Sequence, residues 1–528
     1  MLRKRNILTG LAGVAAMLLP VVAMVGPAHA ADPPPEVTFS FSPGSGLAGT
    51  KVHFTGTGCP HDASKTSDGV VFLALAQSNV NQAPLGFMST ATGTFTADYD
   101  TTGIAPGTYT TFASCTTTGK GGIGSPFTVN APVILGSTYN SLSPTRILDT
   151  RNGTGTAGTN TVGEGGTIEV KVTGVSNVPA TGVTAVALNV TAANASGPAS
   201  YLTVFPTGTT RPLASNLNFD QGTSIPNLVV AQVGTDGKVS IYNNKGSVHV
   251  IGDVQGYYTN VGGVTGGSTF KPVDPLRLLD TRNGTGTGGV TAKVPAGGTI
   301  ELKVTDVGGV PATGATAVVL NMTTTQATGP ESFLTVWPAG ESRPPVSNLN
   351  FAAGPPSTNA VVVRVGLDGK VAIYNNLGST DVIADLNGWF AAPVAAGTAP
   401  VGQFYYPVNP FRNLDSRNGT GTGGQVGQLG GPGVIDVAVS GVGGVPANAT
   451  AAVLNVTAAD SPGPESYLTL FPTGTTRPLA SNLNFVADQT VPNLVMVRLG
   501  GGKVTFYNNL GSVVVIADIE GYYAPQNT

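Results

Sequence analysis

Short runs of alternating apolar and polar residues recur along almost the whole chain. Lys51-Val-His-Phe-Thr, Gly93-Thr-Phe-Thr-Ala-Asp-Tyr and Thr108-Tyr-Thr-Thr-Phe-Ala-Ser-Cys each send every second side chain to one face. A period of two is that of a half-buried strand, and Val, Thr and aromatic residues suit a pleated surface. From residue 137 the pattern predicts eight strands, over 146–149, 167–172, 185–191, 201–205, 215–219, 228–233, 238–242 and 248–257. Pro179, Gly197-Pro198, Pro206 with Gly208, Pro226 and Asp236-Gly237 separate them, the last pair being a two-residue hairpin signal.

This block is written three times. Leu148-Asp149-Thr150-Arg151-Asn152-Gly153 returns as Leu279-Asp280-Thr281-Arg282-Asn283-Gly284 and as Leu414-Asp415-Ser416-Arg417-Asn418-Gly419. Ser215-Asn216-Leu217-Asn218-Phe219 recurs at 347–351 and 481–485, Tyr242-Asn243-Asn244 at 374–376 and 507–509. Asp253-x-x-Gly256-Tyr257-Tyr258 recurs as Asp385-x-x-Gly388-Trp389-Phe390 and Asp518-x-x-Gly521-Tyr522-Tyr523. The first aspartates are spaced 131 and 135 residues apart. Such a period is too long for a solenoid repeat and predicts whole domains, at 137–258, 269–390 and 403–524. Residues 259–268 and 391–400, rich in Gly, Ala, Pro and Val, suit flexible linkers between them.

Composition narrows the class. Glycine (74) and proline (39) are frequent in the 528 residues and only 10% are charged, which suits a turn-rich all-β chain rather than long solvated helices. Arg3, Lys4 and Arg5, the apolar stretch from Ile7 to Val25 and Ala28-His29-Ala30 read as a secretory signal over residues 1–30. The remainder carries 22 basic and 28 acidic residues, a formal charge of −6, and so offers no electrostatic basis for general nucleic-acid binding. No later stretch reaches the ~18 apolar residues of a membrane span. A released extracellular protein is expected, with any cell-surface attachment non-covalent.

Cys59 and Cys115, the only cysteines, fall in one short segment of an exported chain, where a disulfide is the default. Residues 31–131, with about seven alternating runs around them, resemble bacterial immunoglobulin-like domains in which a cystine joins the sheets. The resemblance implies a fold and no ligand. The four repeated motifs in fixed order, covering about 380 residues, resemble a repeat of secreted proteins from Gram-positive soil bacteria. That resemblance implies export and a cell-surface or carbohydrate context, and assigns no activity. The expected fold class is thus all-β: an immunoglobulin-like sandwich, then three homologous eight-stranded, jelly-roll-like β-sandwiches.

Enzyme chemistry finds little support. Beyond the leader only His53, His61 and His249 remain, and His249 gives way to Asp381 and Val514 in the other copies. No Gly-x-Ser-x-Gly, His-Glu-x-x-His or phosphate-binding glycine loop occurs. The acids common to all copies are Asp149 and Asp253, Asp280 and Asp385, Asp415 and Asp518. The recurring arginines beside them (Arg146, Arg151 and Arg211; Arg277, Arg282 and Arg343; Arg412, Arg417 and Arg477) favour an ionised structural network over a proton-donating pair. A ligand or calcium site ranks second; the Asp149–Asn152 loop has oxygen ligands but an arginine in its middle, so a capped Asn-Gly turn is preferred and no metal or cofactor is expected.

Six asparagines recur in every copy. Asn216, Asn218 and Asn243 match Asn348, Asn350 and Asn375, and Asn482, Asn484 and Asn508; Asn189, Asn227 and Asn244 are repeated likewise. Asparagine is disfavoured in strands, so these either satisfy irregular backbone, the preferred reading, or present amides to sugar hydroxyls. Phe205, Trp337 and Phe471 share a slot before a proline and form a candidate aromatic platform; Tyr257, Trp389 and Tyr522 share another, read as core. The leading expectation is a non-enzymatic, multivalent adhesion protein for cell-surface or environmental polysaccharide. The alternatives are a structural stalk or matrix spacer and, third, a hydrolase using the Asp pairs.

Overall fold

The computed structural model describes residues 37–526 except 48, 61–69, 78–79, 82–84, 91, 106, 119, 131–134 and 261–264. The expected leader lies outside the described residues. The chain divides into two units, Met1–Val133 and Ile134–Thr528.

In the first unit the alternating runs form β1 (Thr38–Ser42), β2 (Ser45–Leu47), β3 (Lys51–Thr57), β4 (Val70–Gln77), β5 (Val80–Asn81), β6 (Leu85–Met88), β7 (Phe95–Asp100), β8 (Gly107–Cys115), β9 (Gly121–Ile123) and β10 (Phe127–Asn130). One sheet is ordered β1-β3-β7, the other β2-β10-β8-β4-β5, with β6 on β4 and β9 on β8. Val52 and Phe54 of β3 meet Val71, Leu73 and Leu75 of β4 in the core between them. Cys59, just past β3, is bonded to Cys115 at the end of β8, with their Cα atoms 5.4 Å apart, so the cystine ties the two sheets together. Closing a loop of this length stabilises by roughly 4 kcal/mol in the chain-entropy account.

In the second unit the first copy folds into β11 (Thr138–Asp149), β12 (Thr167–Lys171), β13 (Val183–Ser196), β14 (Ser200–Pro206), β15 (Leu217–Phe219), β16 (Ile225–Gln232), β17 (Lys238–Asn243) and β18 (Ser247–Thr259). The sheets β11-β18-β13-β16 and β12-β17-β14-β15 are antiparallel throughout. Counted along the copy, the orders are 1-8-3-6 and 2-7-4-5, the jelly-roll arrangement of two interleaved Greek keys. The second copy repeats it from β19 (Thr269–Asp280) to β26 (Ser379–Ala391). The third does so from β27 (Phe404–Asp415) to β35 (Ser512–Ala524), with a two-residue addition, β28 (Leu429–Gly430). Asp236 and Gly237 turn the corner before β17 with φ of 57° and 68°, the left-handed pair that a two-residue hairpin needs, and Gly501 and Gly502 do so in the third copy. The first strand is much longer than its expected 146–149 core because irregularities at Ser141/Thr145 and Arg146/Leu148 interrupt its alternation.

The expectation of three independent domains on flexible linkers is corrected. Strand β13 is buried on both faces: Val186, Leu188 and Val190 enter the core of their own sandwich, whereas Ala185 and Ala187 enter a core that all three copies share. Ala317 and Val319, and Ala451 and Val453, take the same places in that shared core. At its centre six rings form a closed cycle. Tyr139 and Tyr258 of the first copy lie 5.0 Å apart, Phe270 and Phe390 of the second 5.1 Å, Tyr405 and Tyr523 of the third 5.4 Å. Between copies, Tyr139 meets Phe390 at 4.3 Å, Tyr258 meets Tyr405 at 4.3 Å and Phe270 meets Tyr523 at 4.4 Å. The glycine of each Asp-x-x-Gly motif makes room: a Cβ on Gly256, Gly388 or Gly521 would fall 2.2–2.4 Å from the ring or hydroxyl of Tyr139, Phe270 or Tyr405.

Two further cycles close around the same axis. Main-chain bridges join Tyr139 to Ser268, Phe270 to Gln403 and Tyr405 to Ser137, so the segments expected to be linkers lead directly into inter-copy pairing. Asn227, Asn359 and Asn493 each accept from a backbone N–H of the preceding copy in the cycle: Leu228 N–H to Asn359 Oδ1 (3.1 Å), Ala360 N–H to Asn493 Oδ1 (3.0 Å) and Leu494 N–H to Asn227 Oδ1 (3.1 Å). The same asparagines donate to Asn455, Asn189 and Asn321 Oδ1 across the junctions, at 2.8, 2.9 and 2.7 Å.

A common core predicts that the three copies melt together. Phe390→Ala should remove about 3–5 kcal/mol of stability and lower one cooperative transition for the whole second unit. Calorimetry of the variant checks this; loss of the second copy's transition alone, with the other two unmoved, would refute a shared core.

Candidate functional site

The motif Asp149-Thr150-Arg151-Asn152-Gly153 leaves β11 as a tight turn. Gly153 N–H donates to Asp149 O (3.0 Å), and Asn152 Oδ1 accepts from Thr154 N–H (3.0 Å). The register of β11 on β18 sets Arg146 opposite Asp253. Arg146 then donates through Nε and Nη2 to both Asp253 oxygens (2.9 and 3.2 Å) and through Nη1 to Asp149 Oδ2 (3.2 Å). Arg151 donates through Nε and Nη2 to both Asp149 oxygens (2.9 and 2.8 Å). Arg277, Asp280, Arg282 and Asp385 repeat the set, as do Arg412, Asp415, Arg417 and Asp518.

The two acids differ electrostatically. Hydrogen bonds from Arg151 hold Asp149 below the usual carboxylate range, and those from Arg417 do the same for Asp415. Burial pushes Asp253, Asp385 and Asp518 upward against the pull of their arginines, which the presence of arginine alone does not reveal. In the first copy all four carboxylate oxygens are bonded to guanidinium.

The asparagines serve backbone and junctions. Asn216, Asn348 and Asn482 accept from Val204, Val336 and Leu470 N–H at 2.6, 2.7 and 2.7 Å. Asn243, Asn375 and Asn508 donate to Val162 O, Val294 O and Leu429 O at 3.0, 3.0 and 2.9 Å, pinning the turn before the last strand. Asn218 accepts from Ser215 Oγ at 3.3 Å, and Asn484 donates to Thr358 Oγ1 of the neighbouring copy at 2.7 Å. Asn350 lines a cleft described below, its Oδ1 buried without a partner.

The candidate platform of Phe205, Trp337 and Phe471 is corrected by burial: the three are 7%, 7% and 6% exposed, and Trp337 Nε1 donates to Glu341 O at 2.9 Å. A different aromatic group remains accessible on the same sheet. Arg211 lies over the half-buried Tyr242 ring, 3.9 Å from its centroid, with Tyr201 a further 6.4 Å from Tyr242. Arg343 over Tyr374 and Arg477 over Tyr507 repeat it at 3.9 and 4.1 Å. These tyrosines were visible in the Tyr-Asn-Asn motif, and the arginines were among the recurring cations, but their pairing depends on the loop after β14.

At the junction of the first and second copies these elements meet. A cleft of about 730 Å³ has Arg146, Arg151 and Thr191 of the first copy and Phe333, Arg343 and Asn376 of the second in its lining. The Thr191 hydroxyl, on a residue only 2% exposed, lacks a hydrogen-bond partner. The contact holding the walls together recurs at each junction: Asn189 Nδ2 donates to Ser347 O (2.8 Å), Asn321 Nδ2 to Ser481 O (2.5 Å) and Asn455 Nδ2 to Ser215 O.

The junctions are chemically unequal beneath this contact. Gln255 of the first copy accepts from Val362 N–H of the second at 3.3 Å, and Asn387 of the second donates to Met496 O of the third at 3.4 Å. Between the third and first copies the same position is Glu520, which accepts from Val230 N–H (3.3 Å) and from Asn216 Nδ2. Burial pushes Glu520 up to about 8, with Asp518 adding to the shift and Val230 N–H and Asn216 opposing it.

No protein-family model matches the chain, and no curated protein matches its sequence. Among solved structures, it is similar to one of the Sulfolobus Turreted Icosahedral Virus at 11% identity and TM-score 0.15, covering 74% of this chain and 91% of that one. Similarity extends to the M60 catalytic domain with CBM51-1 and CBM51-2 from Clostridium perfringens ZmpB (9% identity, TM-score 0.15, 96% of this chain and 56% of that one). It also includes the Bacteroides ovatus mixed-linkage glucan utilization locus SGBP-B, in complex with a mixed-linkage heptasaccharide (10% identity, TM-score 0.15, 94% and 98%). Scores of this size carry no argument about shape or ligand. The fold class rests on the strand order itself: an all-β chain of repeated β-sandwiches. No helix among the described residues is long and apolar enough to cross a membrane.

Glu520 makes stability depend on pH. Folded, it keeps its proton up to about 8, whereas the ordinary value is 4.5. Its stabilising contribution is therefore complete below about 4.5 and is lost as pH rises through about 8. Glu520→Gln should remove that part of the decline, so the variant gains on the native protein steadily across this window. Melting temperatures measured from pH 5 to 9 check this, and parallel curves for the two proteins would contradict it.

Proposed function

We propose that the protein is an exported, non-enzymatic binder of cell-surface or environmental polysaccharide, with its sites at the junctions between copies. The observation that carries this reading is the exposed Arg343, stacked on the half-buried Tyr374, which lines the cleft together with Phe333 and Asn376 of its own copy and Arg146 and Arg151 of the preceding one. A guanidinium, an aromatic body and amides that both donate and accept are the groups that recognise ring C–H faces and hydroxyls. The cystine supports an oxidising compartment.

The shared core changes how multivalency works. Sites on flexible tethers adapt to any spacing, whereas sites fixed around one axis gain avidity only from a polymer whose epitopes match their separation, with gains up to ~10²–10⁴-fold. The full chain should therefore be retained on a subset of purified cell walls and insoluble glycans. Tyr374→Ala should weaken retention, and the triple change Tyr242→Ala, Tyr374→Ala and Tyr507→Ala should abolish it with little effect on melting, since these tyrosines lie on the outer face of the sheet. Absence of wild-type retention on every matrix would sink the binding reading in favour of a spacer.

A further inference from the structure

We propose that the cleft between the first and second copies binds a carboxylate-bearing sugar residue of an acidic polysaccharide. This rests on the polysaccharide reading above and names the ligand class.

Arg146 commits three of its five N–H donors, Nε and one on Nη2 to Asp253 and one on Nη1 to Asp149. Arg151 spends Nε and one N–H of Nη2 on Asp149, leaving Nη1 and the second Nη2 N–H on a side chain that is 42% exposed. Those two arginines are balanced by Asp149 and Asp253. Arg343, on the opposite wall, has no carboxylate partner among the described residues; its flat face rests on Tyr374 and its N–H edges stay available. A guanidinium held flat in this way suits bidentate bonds to a carboxylate, with Arg151 Nη1 as a second donor. The ring that carries the carboxylate would lie against Phe333 and Pro345, which also line the cleft.

One acid opposes an anion there, the exposed Glu331 in the same lining. It stands in Gly-Pro-Glu331-Ser332, and the third copy has Glu465 in the matching Gly-Pro-Glu465-Ser466. The first copy has Ala199 instead, in Gly-Pro-Ala199-Ser200. The first copy thus lacks this acid but carries the exposed Asp220 where the cleft has Ala352, so its corresponding wall is no less acidic.

The test uses the full chain at pH 7 on immobilised polygalacturonate and on the same polymer fully methyl-esterified, with insoluble neutral glycans and cell walls beside them. Polygalacturonate should retain the protein at least about tenfold more strongly than its ester, with the difference shrinking as salt screens it. Arg343→Gln should weaken binding. Glu331→Ala should strengthen it; the position is exposed, so the change does not threaten the fold. Lys51→Gln, in the first unit, should change nothing. Equal retention on polygalacturonate and its ester, or on neutral glycans alone, overturns the acidic ligand and leaves the polysaccharide reading standing. Equal losses in Lys51→Gln and Arg343→Gln also overturn it, because diffuse charge would then explain the binding. No retention on any matrix overturns both readings.

Discussion

The second unit depends on the burial of six aromatic rings around one axis. Each copy supplies two rings, and each ring touches one partner in its own copy and one in a neighbour. Aromatic pairs of this kind contribute about 0.5–1.5 kcal/mol each beyond their area burial. The larger effect is the apolar surface that a lone copy would leave in water on its Ala185–Ala187 and Leu228–Val230 face. The rings also set local sequence requirements: glycine where each strand passes under a ring, and small or β-branched residues where the inner sheets converge.

Hydrogen bonding follows from that convergence. Once the inner sheets are driven together, their polar positions lose access to water and need partners. Asn189, Asn321 and Asn455 find them in a neighbour's backbone carbonyl and in a neighbour's asparagine, and the Arg–Asp sets lie on the adjoining strands, with Asp253 directly opposite Asn189. The cleft is therefore a product of assembly, lined by the first and second copies with Gln489 of the third.

Much of the fold was legible in the chain. Alternation located the strands, Asp236-Gly237 announced a left-handed hairpin, and the repeat showed that one sandwich is used three times. The association of the copies was not read, although its trace was present. Val183-Thr-Ala-Val-Ala-Leu-Asn-Val is almost continuously apolar, the mark of a strand buried on both faces, while the outer β12 alternates with polar residues. Recurrent asparagines in such a strand signal a face turned toward protein. The network was readable because Arg and Asp recur together in the motifs. The aromatic platform was misplaced because the covering of Phe205 depends on the path of the following loop, whereas Tyr242, four residues into its strand, keeps an open outer position. A titrating Glu520 was also beyond a local reading, since its environment comes from residues about three hundred positions away.

Joining three copies in one polypeptide frees them from being identical. In a ring of three separate but identical chains, any change at an interface appears three times, so a buried acid tolerated once must be tolerated in triplicate. Here Gln255, Asn387 and Glu520 occupy one structural position with three chemistries. Gene fusion thus converts a symmetric object into three separately adjustable seams, and selection can alter one seam while the other two preserve the ring.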